Sequence, residues 1–298
     1  MSNKITNVVS WFDDHFYPCK LSKQSITKIQ KRIKSINPDY ELTVIADNIF
    51  LPSVTTILSS SPKEWLGRWR GQVGNWEADR IMNEALDKGS KIHAAFTNLI
   101  EGAIILFNNP KSPTYTKEQI EAIAAENKKG VQVLYDQQEM LEVWRLKRFF
   151  DIVNPKIIGN EMKILSEVFG YAGTLDHLWY LEANEYDLGD KEKFIIEKSG
   201  YYVLDIKTGK VDTDNYPEQL ASYTMAVEES GEYKIEGAII LYSNANKRKG
   251  IEGFKTEQYN KEQLEYHFKG FLDQFNIWIK KANKSPKVFD LPSLLSMN

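Results

Sequence analysis

The run Val203-Leu204-Asp205-Ile206-Lys207-Thr208-Gly209-Lys210 places an acid and a lysine two residues apart at the end of an apolar stretch. On a strand, side chains alternate between faces, so Asp205 and Lys207 share one side while Leu204 and Ile206 point into the core. Two opposite charges at a strand's end can serve a cation or a phosphate; the bland alternative is an ion pair on an edge strand. A second acid, Asp176, follows Gly170-Tyr171-Ala172-Gly173-Thr174-Leu175 and precedes Leu178, within an otherwise core-forming segment. An acid there must be paired or bind a cation, because burying a lone carboxylate is very costly. If the two strands are neighbours, Asp176 and Asp205 converge on one divalent ion with oxygen ligands, which Mg²⁺ or Mn²⁺ prefers.

The elements that must position these residues are legible as periodicity and punctuation. Three segments of strand length and composition carry the acids or precede them: 157–165, 173–181 and 201–206. Between the last two, residues 182–200 are rich in acids and lysines and read as an exposed loop or ragged hairpin tip. A helix over 217–229, strands at 235–243 and 251–258, and a final helix over 261–281 follow. Upstream, 40–51 reads as a hairpin turning at Asp47-Asn48. Ser53 caps a short helix through Leu58, and Ser61-Pro62 opens another over 63–70. Residues 76–101 read as a longer helix interrupted near Gly89, and 131–153 as a helix bounded by Pro155. The expected fold is α/β: a mixed central sheet flanked by helices, with a helical amino-terminal elaboration. The divisions are an extension with a hairpin (1–50), a helical region (51–155) and a core (156–298), the last two forming one structural domain.

The bulk numbers exclude several classes. A chain of 298 residues with 42% hydrophobic and 27% charged content can bury a real core. Cys19 is the sole cysteine, so one chain cannot build a disulfide or a four-cysteine metal site. Residues 1–14 hold no apolar run of signal-peptide length, and runs such as 103–107 and 238–242 are far too short to span a bilayer. A cytoplasmic protein with no membrane partner is therefore expected. The net charge of -3 argues mildly against coating nucleic acid by bulk electrostatics. An enzyme that gathers carboxylates around metal ions escapes that objection.

In this setting Asp176 followed by Asp205-Ile206-Lys207 resembles the PD-(D/E)XK nuclease signature. Gln219-Leu220-Ala221-Ser222-Tyr223 resembles the Gln-x-x-x-Tyr motif of its RecB-like branch, and Gly89-Ser90-Lys91-Ile92-His93 resembles that branch's helix with a metal-binding histidine. The phrase Ser53-Val54-Thr55-Thr56-Ile57-Leu58 and the surroundings of Gly173 are similar to phage-encoded exonucleases and the mitochondrial genome maintenance exonuclease. The likeness runs over about residues 51–227, with a longer insertion than usual at 182–200 and without the iron-sulfur cysteines of some relatives. It implies a restriction-endonuclease-like core and Mg²⁺ or Mn²⁺ as cofactor. His93, Asp176, Asp205 and the Ile206 carbonyl would be ligands, and Glu161 would complete the acidic cluster, with Glu167 as its competitor. Lys207 would position or deprotonate the attacking water. Thr208, Lys210, Gln219 and Tyr223 would touch phosphate or orient the lysine.

Each of these has a plainer reading. A lone helical histidine is commonly structural, and Gln219 with Tyr223 share one face of a helix that could merely pack on the sheet. Trp65-Leu66-Gly67-Arg68-Trp69-Arg70 and Trp144-Arg145-Leu146-Lys147-Arg148 interleave aromatic and basic residues in a way that suits single strands. The commoner cause is an amphipathic helix with tryptophan in the core; Arg68, Arg70, Arg145 and Arg148 stay candidate DNA contacts. The functional expectation is an exonuclease on single-stranded or end-bearing DNA in replication, recombination or repair. A structure-specific endonuclease and a non-catalytic DNA-binding module of the same fold are the alternatives.

Overall fold

A computed structural model describes residues 5, 9–11, 14–45, 47–60, 64–189, 192–208, 215–244 and 253–281. In chain order they form β1 (Val9–Trp11), β2 (Asp14–Lys20), α1 (Lys23–Ile36), β3 (Val44–Ile45), β4 (Asn48–Pro52), α2 (Val54–Ser59), α3 (Glu64–Val73), α4 (Asn75–Ile100), β5 (Ile104–Phe107), α5 (Lys117–Glu126) and β6 (Val131–Leu134). There follow α6 (Gln137–Val153), β7 (Lys156–Ser166), β8 (Tyr171–Leu181), β9 (Asn184–Gly189), β10 (Glu192–Ile196), β11 (Gly200–Lys207), α7 (Tyr216–Glu229), β12 (Ile235–Tyr242), β13 (Lys255–Asn260) and α8 (Lys261–Lys281). Among the described residues no helix is long and apolar enough to cross a membrane.

The largely apolar strands β11 and β12 sit inside a five-stranded sheet ordered β13-β12-β11-β8-β7. Those two strands run parallel and every other pairing in the sheet is antiparallel. Strands buried on both faces need apolar side chains on both, and alternation divides them between two cores. Val203, Ala238 and Ile240 pack with Leu220 and Val227 of α7, Phe271 and Phe275 of α8, and Ile29 of α1. Leu204, Ile206, Ile239 and Leu241 pack with Ile92 and Phe96 of α4 and Leu146 and Phe149 of α6. Each of these side chains larger than alanine contributes about 1.5–3 kcal/mol by leaving water. The fold is thus α/β with a mixed central sheet between helical layers. Joining parallel neighbours requires a crossover; α7 supplies it and so lies over the end of β11.

Several expected elements take a different form. The amino-terminal elaboration is not simply helical: β1, β2, β4 and β3 make a second, four-stranded sheet, of which the 40–51 hairpin is one edge, with Asp47 in its turn at φ 66°. Ser53 caps α2 as expected, accepting from Thr56 N, whereas the Ser61-Pro62 helix start lies outside the described residues. α4 runs unbroken through Gly89. The glycine serves contact instead of a break, since a Cβ there would come within 3.1 Å of Thr208 Oγ1. Residues 131–134, expected as helix, form β6, parallel to β5; Asp136 then caps α6 by accepting from Gln138 N and Glu139 N. The segment 182–200 is a β9–β10 hairpin whose alternate residues Tyr186, Leu188, Phe194 and Ile196 are buried in the second core. The last strand is β13 at Lys255–Asn260, and residues 251 and 252 of the expected one lie outside the described residues.

Candidate metal centre

The pairing of β8 with β11 ends at His177 opposite Leu204, and the next residues along are Asp176 and Asp205. Where the ladder stops, the N–H of Ile206 would lack an acceptor, and it donates to Asp176 Oδ2 at 2.8 Å. Ile206 is therefore tied to the site through its N–H. On the other side of β8, β7 pairs Asn160 with His177 and Met162 with Leu175, which sets Glu161 across from Asp176. From α4, His93 brings Nδ1 to 3.4 Å from Asp176 Oδ2. Among the described residues, His93, Glu161 and Asp176 form a group able to hold a metal ion, with one ligand atom from each lying within 4.8 Å of the others. One nitrogen and two carboxylate oxygens are a donor set that Mn²⁺ accepts, with Mg²⁺ favouring the oxygens.

Glu161 has φ 47° in the middle of an 11-residue strand. For a residue with a Cβ, the left-handed region costs about 1–2 kcal/mol, and such strain persists where the surroundings over-determine it. Burial and then the charge of Asp176 raise the Glu161 carboxyl above its ordinary value, with His93 opposing them. A cation between the two acids would remove their repulsion. Glu161→Gly takes away both the strained side chain and one of the repelling carboxylates. Its stability should rise by about 1 kcal/mol in urea unfolding while its Mn²⁺ affinity falls. A less stable variant would mean that the turn at Glu161 is not strained.

Beside this group, Lys207 Nζ lies 2.5 Å from Asp205 Oδ2 and 3.2 Å from Gln219 Oε1, and 4.5 Å from the centre of the Tyr216 ring. Asp205 is only 2% exposed. Burial pushes its carboxyl up to about 6 against the pull of Lys207. Burial alone would lower Lys207, but the charges of Asp205 and Asp176 outweigh it and leave the ammonium above its usual value. Anion, amide oxygen and ring face all favour the charged form, so Lys207 is a fixed cation and a poor base. Gln219 Nε2 donates in turn to Tyr223 Oη at 2.9 Å. The tyrosine fits because residue 173 is glycine: a Cβ there would stand 2.9 Å from Tyr223 Cε1.

The expected site residues thus separate into groups. His93, Glu161, Asp176, Asp205, Lys207 and Gln219 come together. Glu167 does not; its carboxylate accepts from Ser25 Oγ at the start of α1, and of the two acids it is Glu161 that lies beside Asp176. Tyr223 is buried behind Gln219, so it supports the lysine and does not present a hydroxyl to phosphate. Thr208 sits against Gly89, and Lys210 lies outside the described residues. The expected arginine path is overturned at Arg145, which is wholly buried and donates from Nη1 to the Ser243 carbonyl at 2.9 Å. Arg70 pairs with Asp79 at 2.7 Å; Arg68 is exposed on α3 and Arg148 half-buried on α6. Trp65 and Trp144, expected in the core, are about half exposed, at 51% and 53%.

Reasoning from the sequence missed Tyr216, Lys88, Glu142 and Ser243. Glu142 and Arg145 had a usable signal, because they fall on the stripe of α6 that buries Leu146, Phe149 and Val153, where a 3.6-residue period calls for apolar side chains. Compared with protein-family models and with curated proteins, the chain has no match.

Proposed function

We propose that the chain is a metal-dependent nuclease that hydrolyses phosphodiester bonds in DNA, using Mg²⁺ or Mn²⁺ held by His93, Glu161 and Asp176. The observation that carries this reading is the convergence of an imidazole and two carboxylates beside a lysine pinned to Asp205 at the end of β11. These residues are also the ones whose order resembles the PD-(D/E)XK signature of the RecB-like branch, with its restriction-endonuclease-like core; that resemblance supports DNA as the substrate. A bound divalent ion would supply a water of lowered pKa and neutralise charge on the phosphate.

The protein's own groups do the rest. Asp176, fixed by the Ile206 N–H, presents an oxygen without having to reorganise, and Glu161 adds a second carboxylate from the neighbouring strand. Lys207 offers a cation to the negative charge that grows on the phosphate oxygens. Asp205, Gln219 and Tyr216 hold it at one place, and Tyr223 holds Gln219. Lys207 therefore acts by electrostatic stabilisation and not by deprotonating water.

The test is digestion of end-labelled linear and closed circular DNA, single- and double-stranded, with Mg²⁺, Mn²⁺ or chelator. An exonuclease shortens the linear strands only while metal is present and spares the circles. Cut circles would point to a structure-specific endonuclease. Intact DNA in every metal would refute the nuclease and leave a non-catalytic DNA-binding module.

A further inference from the structure

A charged joint lies behind the candidate site, and the chemistry proposed above does not use it. Glu142, on the inner face of α6, has no exposed side-chain surface and receives Lys88 Nζ of α4 at 2.7 Å. Its other oxygen accepts from Ser243 Oγ at 2.8 Å, and Gln138 Nε2 approaches at 3.3 Å. Ser243, just past β12, donates its N–H to the Lys207 carbonyl at 3.0 Å, and its own carbonyl takes Arg145 Nη1 at 2.9 Å. One buried carboxylate is thereby bound to the helix that carries His93 and, through Ser243, to the strand end that carries Lys207. Lys88 precedes Gly89, where α4 comes against Thr208, and His93 is little more than one turn further along.

We infer that Glu142 is a positioning residue, which through Lys88 fixes α4 so that His93 reaches Asp176 and Glu161. The inference rests on the reading of those three side chains as metal ligands. A buried carboxylate is tolerable only when its partners are held close, so the pair fixes one seating of α4 where apolar contacts alone would allow sliding. Groups behind a ligand that set its orientation commonly govern affinity by tenfold or more.

The test uses the full chain and Mn²⁺ as probe, with affinity measured by calorimetry beside the melting temperature. Lys88→Met leaves Glu142 buried without its cation, so it should lower the melting temperature, and its Mn²⁺ affinity is read at a temperature where circular dichroism shows it folded. It should weaken Mn²⁺ binding by about tenfold, and Lys88→Arg should restore most of the loss. Glu142→Gln should weaken binding in the same direction, and the double variant should bind no more weakly than the worse single one, because both remove one link. Val153→Ala, at the far end of α6, is the control for general loosening: a lower melting temperature with unchanged Mn²⁺ affinity. Unchanged affinity in Lys88→Met, additive losses in the double variant, or an equal loss in Val153→Ala would overturn the inference. Failure of the wild-type chain to bind Mn²⁺ would instead bring down the metal site itself.

Discussion

In Asp176→Ala, cleavage of end-labelled single-stranded DNA should fall by on the order of 10³-fold or more, since groups that stabilise charge at the reacting centre commonly have effects of this size. Asp176 makes three contacts at the centre: it faces His93 at 3.4 Å, lies in one group with Glu161, and accepts the Ile206 N–H. Its loss takes away one of the three proposed ligands without removing core volume. The structural cost is one backbone donor left without its carboxylate, about 1–3 kcal/mol, so the variant should remain folded by circular dichroism. Cleavage at the wild-type rate under saturating Mg²⁺ would exclude Asp176 from the metal centre.

Lys207→Met should lose both activity and stability, and the second loss is the more diagnostic. Asp205 would stay 2% exposed with its counter-charge gone, and breaking a buried pair from one side costs about 3–5 kcal/mol. Asp205→Asn combined with Lys207→Met should recover most of that stability and none of the cleavage. The pH dependence has a definite sign. Even with Lys207 present, the Asp205 carboxyl is pushed up to about 6 by burial, so the folded state favours its neutral form relative to an ordinary Asp at about 3.9. Lys207 lowers that carboxyl, so in Lys207→Met it takes up its proton at a higher pH than in the wild type, and the stability deficit should shrink as pH falls towards about 6 and level off below it. Urea unfolding at several pH values measures it. A deficit independent of pH would mean that Asp205 is not the group left unpaired.

How far the sequence exposed these features depends on whether the determining contact is local. β7, β8, β11 and α7 were legible because strand-length stretches rich in aliphatic and aromatic residues, and a Pro at the first turn of α7, act within a few residues. Asp205 and Lys207 were legible for the same reason, since alternation along one strand places them together. β6 was not: Val131 to Leu134, four residues with Gln132 among them, joins smoothly onto a helix, and only its partner β5, more than twenty residues away, makes it a strand. The apolar stripe of α6 already marked Arg145 as inward-facing, but its acceptor there, the Ser243 carbonyl, is far away in sequence and was hidden. The left-handed backbone of Glu161 has no sequence signature either, because only glycine and a few polar residues announce positive φ.

Locating Mn²⁺ by anomalous diffraction from crystals of the wild-type chain, soaked at a concentration that saturates cleavage, tests the central claim most directly. The account predicts a peak between His93, Glu161 and Asp176, within coordinating distance of the carboxylate oxygens, with Lys207 still beside Asp205. A saturated, cleaving protein whose Mn²⁺ lies elsewhere, or that shows no peak among these three side chains, would contradict it.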